Sequence, residues 1–245
     1  MVNVKVIIEY DGSNYSGWQV QNNTDMTIQG ILEESISNLN KKKVNIIGSG
    51  RTDAGVHALG QVANFYLDVD IPIEKIPDAL NSLLPPDIVC KDAKIVNNKF
   101  HARYDVYGKM YRYRINNSKH KSVFSRNYVY NIYRPLDISS MERAMLYFLG
   151  KHDFSAFQAS GGNIVNTIRE IEDFSLTKNE NEWWFEIAGT GFLYKMVRII
   201  MGTLIEVGLG KREINSLPLL FYKKRIGRAG FTAPAKGLTL VKVYY

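Results

Sequence analysis

The 245 residues contain one cysteine, Cys90, so neither a disulfide framework nor a multi-cysteine zinc site can be built. A reducing cytosol fits that usage. The four histidines, His57, His101, His120 and His152, lack metal-ligand spacing and read as structural or surface residues. A zinc base deaminase needs several cysteine ligands and an H-x-E motif, but His57 is followed by Ala58 and Leu59. There is no G-x-x-x-x-G-K-[ST] run and no G-x-G-x-x-G run, which leaves nucleotide-driven chemistry without a phosphate cradle. No apolar run has the length of a membrane span, because the best candidate, Phe192 to Leu209, carries Lys195, Arg198 and Glu206. The opening MVNVKVIIEYDG alternates and carries acids early, unlike a signal peptide. A soluble, cytoplasmic protein is the expectation. Strict repeats, low-complexity segments and flexible linkers are missing as well, so the chain reads as one large packed domain or two ordinary ones.

Acids are missing locally. Residues 106–136 hold seven Lys or Arg and no Asp or Glu, and the same window holds seven aromatics. Basic groups neutralise phosphates and flat rings stack on unpaired bases, which suits looped or single-stranded RNA. The bland alternative is a two-stranded ribbon with core tyrosines on one face and solvated cations on the other. The absence of any acid favours nucleic acid. Residues 214–245 repeat the signature with Lys223, Lys224, Arg225, Arg228, Lys236 and Lys242. The net charge of +7 is shared unequally: residues 1–105 hold 10 Lys and Arg against 13 Asp and Glu, residues 106–245 hold 21 against 11. A polyanionic partner for the second half follows.

What is present is a mixed pattern of elements. Val2, Val4, Val6 and Ile8 alternate as a strand, and Ile28, Ile31, Leu32, Ile36 and Leu39 share a helical face. Strands are expected over Val44–Ile47, Val62–Leu67, 87–96, 104–115, 164–176, 183–188 and 238–245. Helices are expected over 73–83, 139–149 and 192–209, the first stopped by Pro85 and Pro86. This predicts an α+β protein with antiparallel sheets, in two halves that meet near Tyr104.

Between two of these strands stands GSGRTDAGVHALGQ, Gly48 to Gln61, with Arg51 and Asp53 in a glycine-rich turn. Glycines let such a loop bend tightly and approach another molecule closely. Two other carboxylate or thiol readings are weaker. IIEYDGS resembles the D-x-D-G-[ST] motif of aspartate phosphohydrolases, but its nucleophile position would be Glu9, one methylene out of place. Asp11-Gly12 is therefore expected to be a turn. Cys90, in an apolar strand, is expected to be an inert core thiol.

GRTDAGVHALGQV closely resembles the signature loop of the tRNA pseudouridine synthase A family. EYDGSNYSGWQ, FHARYDVYGKMYRYRI, FLYKMVRIIMGTL and TAPAKGLTLVKVYY resemble further segments of that family in the same order and span nearly the whole chain. The resemblance implies a pseudouridine synthase fold of two similar α/β domains, 1–104 carrying the catalytic loop and 105–245 basic and RNA-binding. It implies an isomerase acting on uridines 38, 39 and 40 of the tRNA anticodon stem-loop, a homodimer, and no metal or organic cofactor. Asp53 matches the catalytic aspartate, Arg51 the arginine that supports base flipping, Tyr111 the stacking tyrosine, and Arg198 an arginine that pairs with the carboxylate. Arg112 and Arg114, in the acid-free window, are expected to bind substrate. In FQASGGNIVNTIR, 157–169, Asn166 stands where relatives carry a charge. A non-catalytic RNA-binding descendant would show damage at the Asp, Arg or Tyr positions, and none is damaged.

Overall fold

The alternation of the first residues is realised as β1 (Val2–Tyr10), whose Val4, Val6, Ile8 and Tyr10 are buried. The computed structural model describes residues 1–161, 166–222 and 229–245. It divides into two compact units, Met1–Tyr107 with Thr239–Tyr245, and Gly108–Leu238. The expected second half, 105–245, thus differs at its end. The closing strand β10 (Leu238–Tyr244) pairs in parallel with β3 (His57–Leu67), setting Thr239 opposite His57 and Leu240 opposite Ala58.

In the first unit β1 lies between β3 and β4 (Ile88–Val96), antiparallel to both, and the short β2 (Ile47–Gly48) adds to β3. Helix α1 (Ile28–Asn40) is capped by the Thr27 side chain, which accepts from the Gly30 N–H, and it buries Ile28, Leu32 and Ile36. Helix α2 (Ile76–Asn81) buries Ile76 and Leu80 and is shorter than the periodicity of 73–83 suggests, because Ile73–Lys75 wind as a tighter turn. Val44 and Ile46 are buried as expected but form no strand. Their N–H groups donate to the Ser37 hydroxyl and the Glu33 carboxylate of α1 instead of to a ladder. Cys90 is buried, and desolvation pushes its thiol up to about 12, as an inert core residue requires.

The second unit has a sheet ordered β5 (Gly108–Asn116), β9 (Glu182–Gly189), β8 (Ile168–Asn179), β7 (Gly150–Asp153), antiparallel throughout this path, with β6 (Tyr130–Asn131) parallel to β5. Helices α3 (Ile138–Met145) and α4 (Met196–Gly208) pack together, and Phe148, Phe154, Phe157 and Phe221 meet in a ring cluster beside them. α4 starts four residues later than the 192–209 pattern suggests, since Lys195 has left-handed backbone (φ 58°) and the Met196 N–H turns back to the Leu193 carbonyl. β5 likewise starts at 108 rather than 104, because His101–Asp105 closes a turn in which the Tyr104 and Asp105 N–H groups reach the His101 carbonyl. The α+β class with mainly antiparallel sheets is as expected. Among the described residues no helix is long and apolar enough to cross a membrane.

Candidate active site

The segment between β2 and β3 carries Arg51 and Asp53 in one loop. Its backbone is fixed from one residue to the next. The Trp18 N–H donates to the Thr52 carbonyl (3.1 Å), the Gly55 N–H to the Tyr15 carbonyl (3.3 Å), and the Val56 N–H back to the Asp53 carbonyl (3.1 Å). Gly55 has φ +74°, the left-handed turn that glycine adopts without penalty. Thr52 is buried and its hydroxyl shares a hydrogen bond with that of Tyr10 (2.8 Å). Arg51 is exposed and Asp53 half-exposed, so the two ionic side chains stay at the surface of a loop whose neighbours are anchored below.

The anchor is the N-terminal DGSNYSGWQ stretch, which the sequence shows as a polar loop but does not tie to Asp53. Gly17 has φ +96°, and a Cβ there would stand 2.6 Å from the Thr52 carbonyl oxygen. At Gly12 a Cβ would stand 2.0 Å from the Val56 carbonyl oxygen. Both glycines let this stretch lie against the loop backbone. The Gly12 N–H also donates to Nδ1 of the buried His57 (3.1 Å), giving that histidine the structural role expected of it. Asp11 accepts from the Ser13 N–H and begins the expected turn. The density of glycine and aromatic residues around Tyr15 and Trp18 was the available signal. What it could not show is the partner, some 35 residues further along the chain (Trp18 to Thr52, for instance).

The second unit places the remaining residues. Tyr111 is buried on β5, with its ring edge-on to Phe192 at 5.2 Å and 85°. Arg198 lies in the first turns of α4. Its Nε donates to the Ala233 carbonyl (2.8 Å), and its own carbonyl accepts from the Ala233 N–H (3.0 Å). The TAPAKG segment is therefore strapped to the arginine's own helix.

Arg112 and Arg114 are paired across the sheet. Arg112 donates through Nε and Nη2 to Glu186 (2.8 and 2.7 Å), and Arg114 through Nε and Nη2 to Glu182 (2.8 and 3.0 Å). Both guanidinium groups also lie over Trp184, at 4.2 and 5.5 Å. β9 thus supplies acids to these two arginines in a cross-strand ladder, and both guanidinium groups remain partly exposed. Of the second basic zone, Lys223, Lys224, Arg225 and Arg228 lie outside the described residues. Asn166 accepts the Ile168 N–H at Oδ1 and the Arg169 guanidinium at its carbonyl. Among the described residues no three His, Cys, Asp or Glu converge as metal ligands.

A family model described as tRNA pseudouridine synthase matches residues 6–105 and 144–245. Over its full length the chain is 52% identical to tRNA pseudouridine synthase A of Acetivibrio thermocellus, and 49% to that of Thermoanaerobacter sp., with both relatives covered completely. The chain belongs to the tRNA pseudouridine synthase family. As a member it is an isomerase that converts uridine to pseudouridine in tRNA. The matched segments contain Arg51, Asp53 and Arg198, while Tyr111, Arg112 and Arg114 fall in the stretch the family model passes over.

Proposed function

We propose that this synthase uses Asp53 as its one reacting carboxylate and acts on uridines 38, 39 and 40 of the anticodon stem-loop. The observation that carries the reading is the Asp53 loop itself, with its backbone fixed on both sides of two ionic side chains that remain accessible. The reaction breaks the bond from N1 of uracil to C1′ of ribose, turns the base, joins C5 to C1′, and releases the C5 proton while N1 takes up a proton. Atoms and electrons are conserved, so the chemistry asks for neither a redox nor an energy cofactor. Glycoside hydrolysis commonly uses two carboxylates because water must be activated as well. Here the base is kept and water excluded, so a single carboxylate suffices. The uridine has to leave its stack at a cost of a few kcal/mol. Arg51 takes the role of supporting that flipped state and Tyr111 that of stacking on the base. To Arg198 falls the carboxylate-pairing role the resemblance gives it. The homodimer and the cytoplasm complete the reading.

Asp53→Asn is nearly isosteric and removes the charge that nucleophilic or basic action requires. It is expected to fold, to bind tRNA with near wild-type affinity through phosphate contacts elsewhere, and to release no tritium from C5-labelled uridine in tRNA. Substantial release by the folded variant would overturn the assignment. Mapping pseudouridine in RNA from cells lacking the protein tests the choice of uridines, and a ribosomal site lost in place of 38–40 would overturn that part.

A further inference from the structure

Behind the loop lies a group of buried polar side chains, all within the first unit, that the roles of Arg51 and Asp53 leave unused. Gln61 is 0% exposed, Ser49 2%, Tyr10 3% and Thr52 7%. Ser49 Oγ donates to Gln61 Oε1 (2.7 Å), and Gln61 Nε2 donates to the Gly50 carbonyl (2.9 Å). The Tyr10 hydroxyl bonds to Thr52 (2.8 Å) and also to the Gln61 side chain. Ser49 further meets the hydroxyl of Tyr245, which donates to the Ala102 carbonyl (2.6 Å). Buried polar groups are costly unless paired, and apolar residues would fill such a space at lower risk. A fully paired network has one geometry, whereas an apolar contact tolerates sliding. This one grips the chain at Ser49, Gly50 and Thr52. Arg51 stands between two of the gripped positions, and Asp53 follows the last.

We propose that Tyr10 and Gln61 are positioning residues for the isomerisation, holding the Arg51–Asp53 backbone through Thr52 and Gly50 in the one geometry from which Asp53 reacts. The inference rests on the reading of Asp53 as the reacting carboxylate. A reacting group displaced by about 1 Å loses on the order of 100-fold in rate, while affinity set by distant phosphate contacts is untouched. The network therefore governs kcat rather than tRNA binding.

The test compares Tyr10→Phe, Thr52→Val and Thr52→Ser in single-turnover tritium release on tRNA, beside tRNA affinity and Tm. Tyr10→Phe and Thr52→Val each remove a hydroxyl and keep the volume, and each is expected to lower the rate by at least about tenfold with affinity unchanged. Thr52→Ser keeps the hydroxyl and is expected to recover most of the rate even where its Tm is lowered by the lost methyl. The double variant Tyr10→Phe/Thr52→Val is expected to be no slower than the slower single variant, because both delete the same bond. Wild-type rate in Tyr10→Phe, a loss confined to affinity, or Thr52→Ser as slow as Thr52→Val would overturn the proposal. Asp53→Asn in the same series separates the two readings. If it is silent while Tyr10→Phe turns over normally, only the positioning role falls; if it is active, the carboxylate assignment falls first. Should Tyr10→Phe fail to fold, the Val and Ser variants at position 52 decide alone.

Discussion

Tyr111 and Tyr113 sit two residues apart on β5, so their side chains share a face, yet the structure uses them differently. Tyr113 has no exposed surface. Its hydroxyl donates to the Pro234 carbonyl (2.9 Å), and burial raises its pKa well above the ordinary tyrosine value, so the phenol stays protonated. Tyr111 keeps a little exposure and packs edge-to-face with Phe192. If stacking is its role, Tyr111→Phe should keep tRNA affinity and most activity. Tyr111→Ala should lose ~1–3 kcal/mol of base contact, or about 5- to 150-fold in kcat/KM. Should Phe be as inactive as Ala with binding intact, the hydroxyl itself takes part in proton transfer. At this scale the sequence exposes Asp53 and Arg51 because the motif is local, one contiguous stretch with a glycine-rich turn. Tyr10 and Gln61 are hidden for the opposite reason. Tyr10 carries the apolar alternation of β1 and Gln61 stands at a polar site in β3, and only strand pairing brings them together behind the loop.

At the scale of elements, hydrophobic period locates helices and strands well but sees only one chain segment at a time. It finds β1, α1, β4, β9 and the body of α4. It misses where backbone groups find partners away from their own element, as at Val44 and Ile46, and where a left-handed residue such as Lys195 delays a helix. The β5–β9 ladder is the same lesson in charge. Two cations of an acid-free run in sequence meet acids in space, because antiparallel pairing sets Arg112 opposite Glu186 and Arg114 opposite Trp184, with Glu182 within reach. The ladder makes a definite claim about Arg112→Gln/Arg114→Gln. Each half-buried pair is worth about 1 kcal/mol, and a loss of that size lowers Tm by ~2–4 °C in a protein of this length. The double variant should therefore melt several degrees lower, while the dependence of tRNA affinity on salt keeps its wild-type slope. A slope flattened by one or more with Tm unchanged would return these two arginines to the phosphate-binding role.

For the whole molecule, the charge is divided by unit rather than by the midpoint of the chain. Residues 108–238 hold 20 Lys and Arg against 11 Asp and Glu, whereas the unit of Met1–Tyr107 and Thr239–Tyr245 holds 11 against 13. The closing strand returns one lysine, Lys242, to the unit that carries the Arg51–Asp53 loop, so the positive excess belongs entirely to the other. Within the second unit Arg112, Arg114 and Arg212 are each bonded to a glutamate. Exposed lysines are the simplest cations at which to test the salt dependence of tRNA affinity. Lys119 and Lys121 are exposed in the second unit, and Lys43 and Lys75 are exposed in the first. Lys119→Glu/Lys121→Glu and Lys43→Glu/Lys75→Glu change net charge by the same amount, so a difference between them reports location alone. The former pair is expected to weaken tRNA binding and make the plot of log affinity against log salt shallower by about 1.5, the loss of two phosphate contacts at roughly 0.7–0.9 each. The latter pair should leave the slope within error of wild type. Equal slopes for both double variants would mean that tRNA responds to net charge alone, and that the basic unit is not where its phosphates lie.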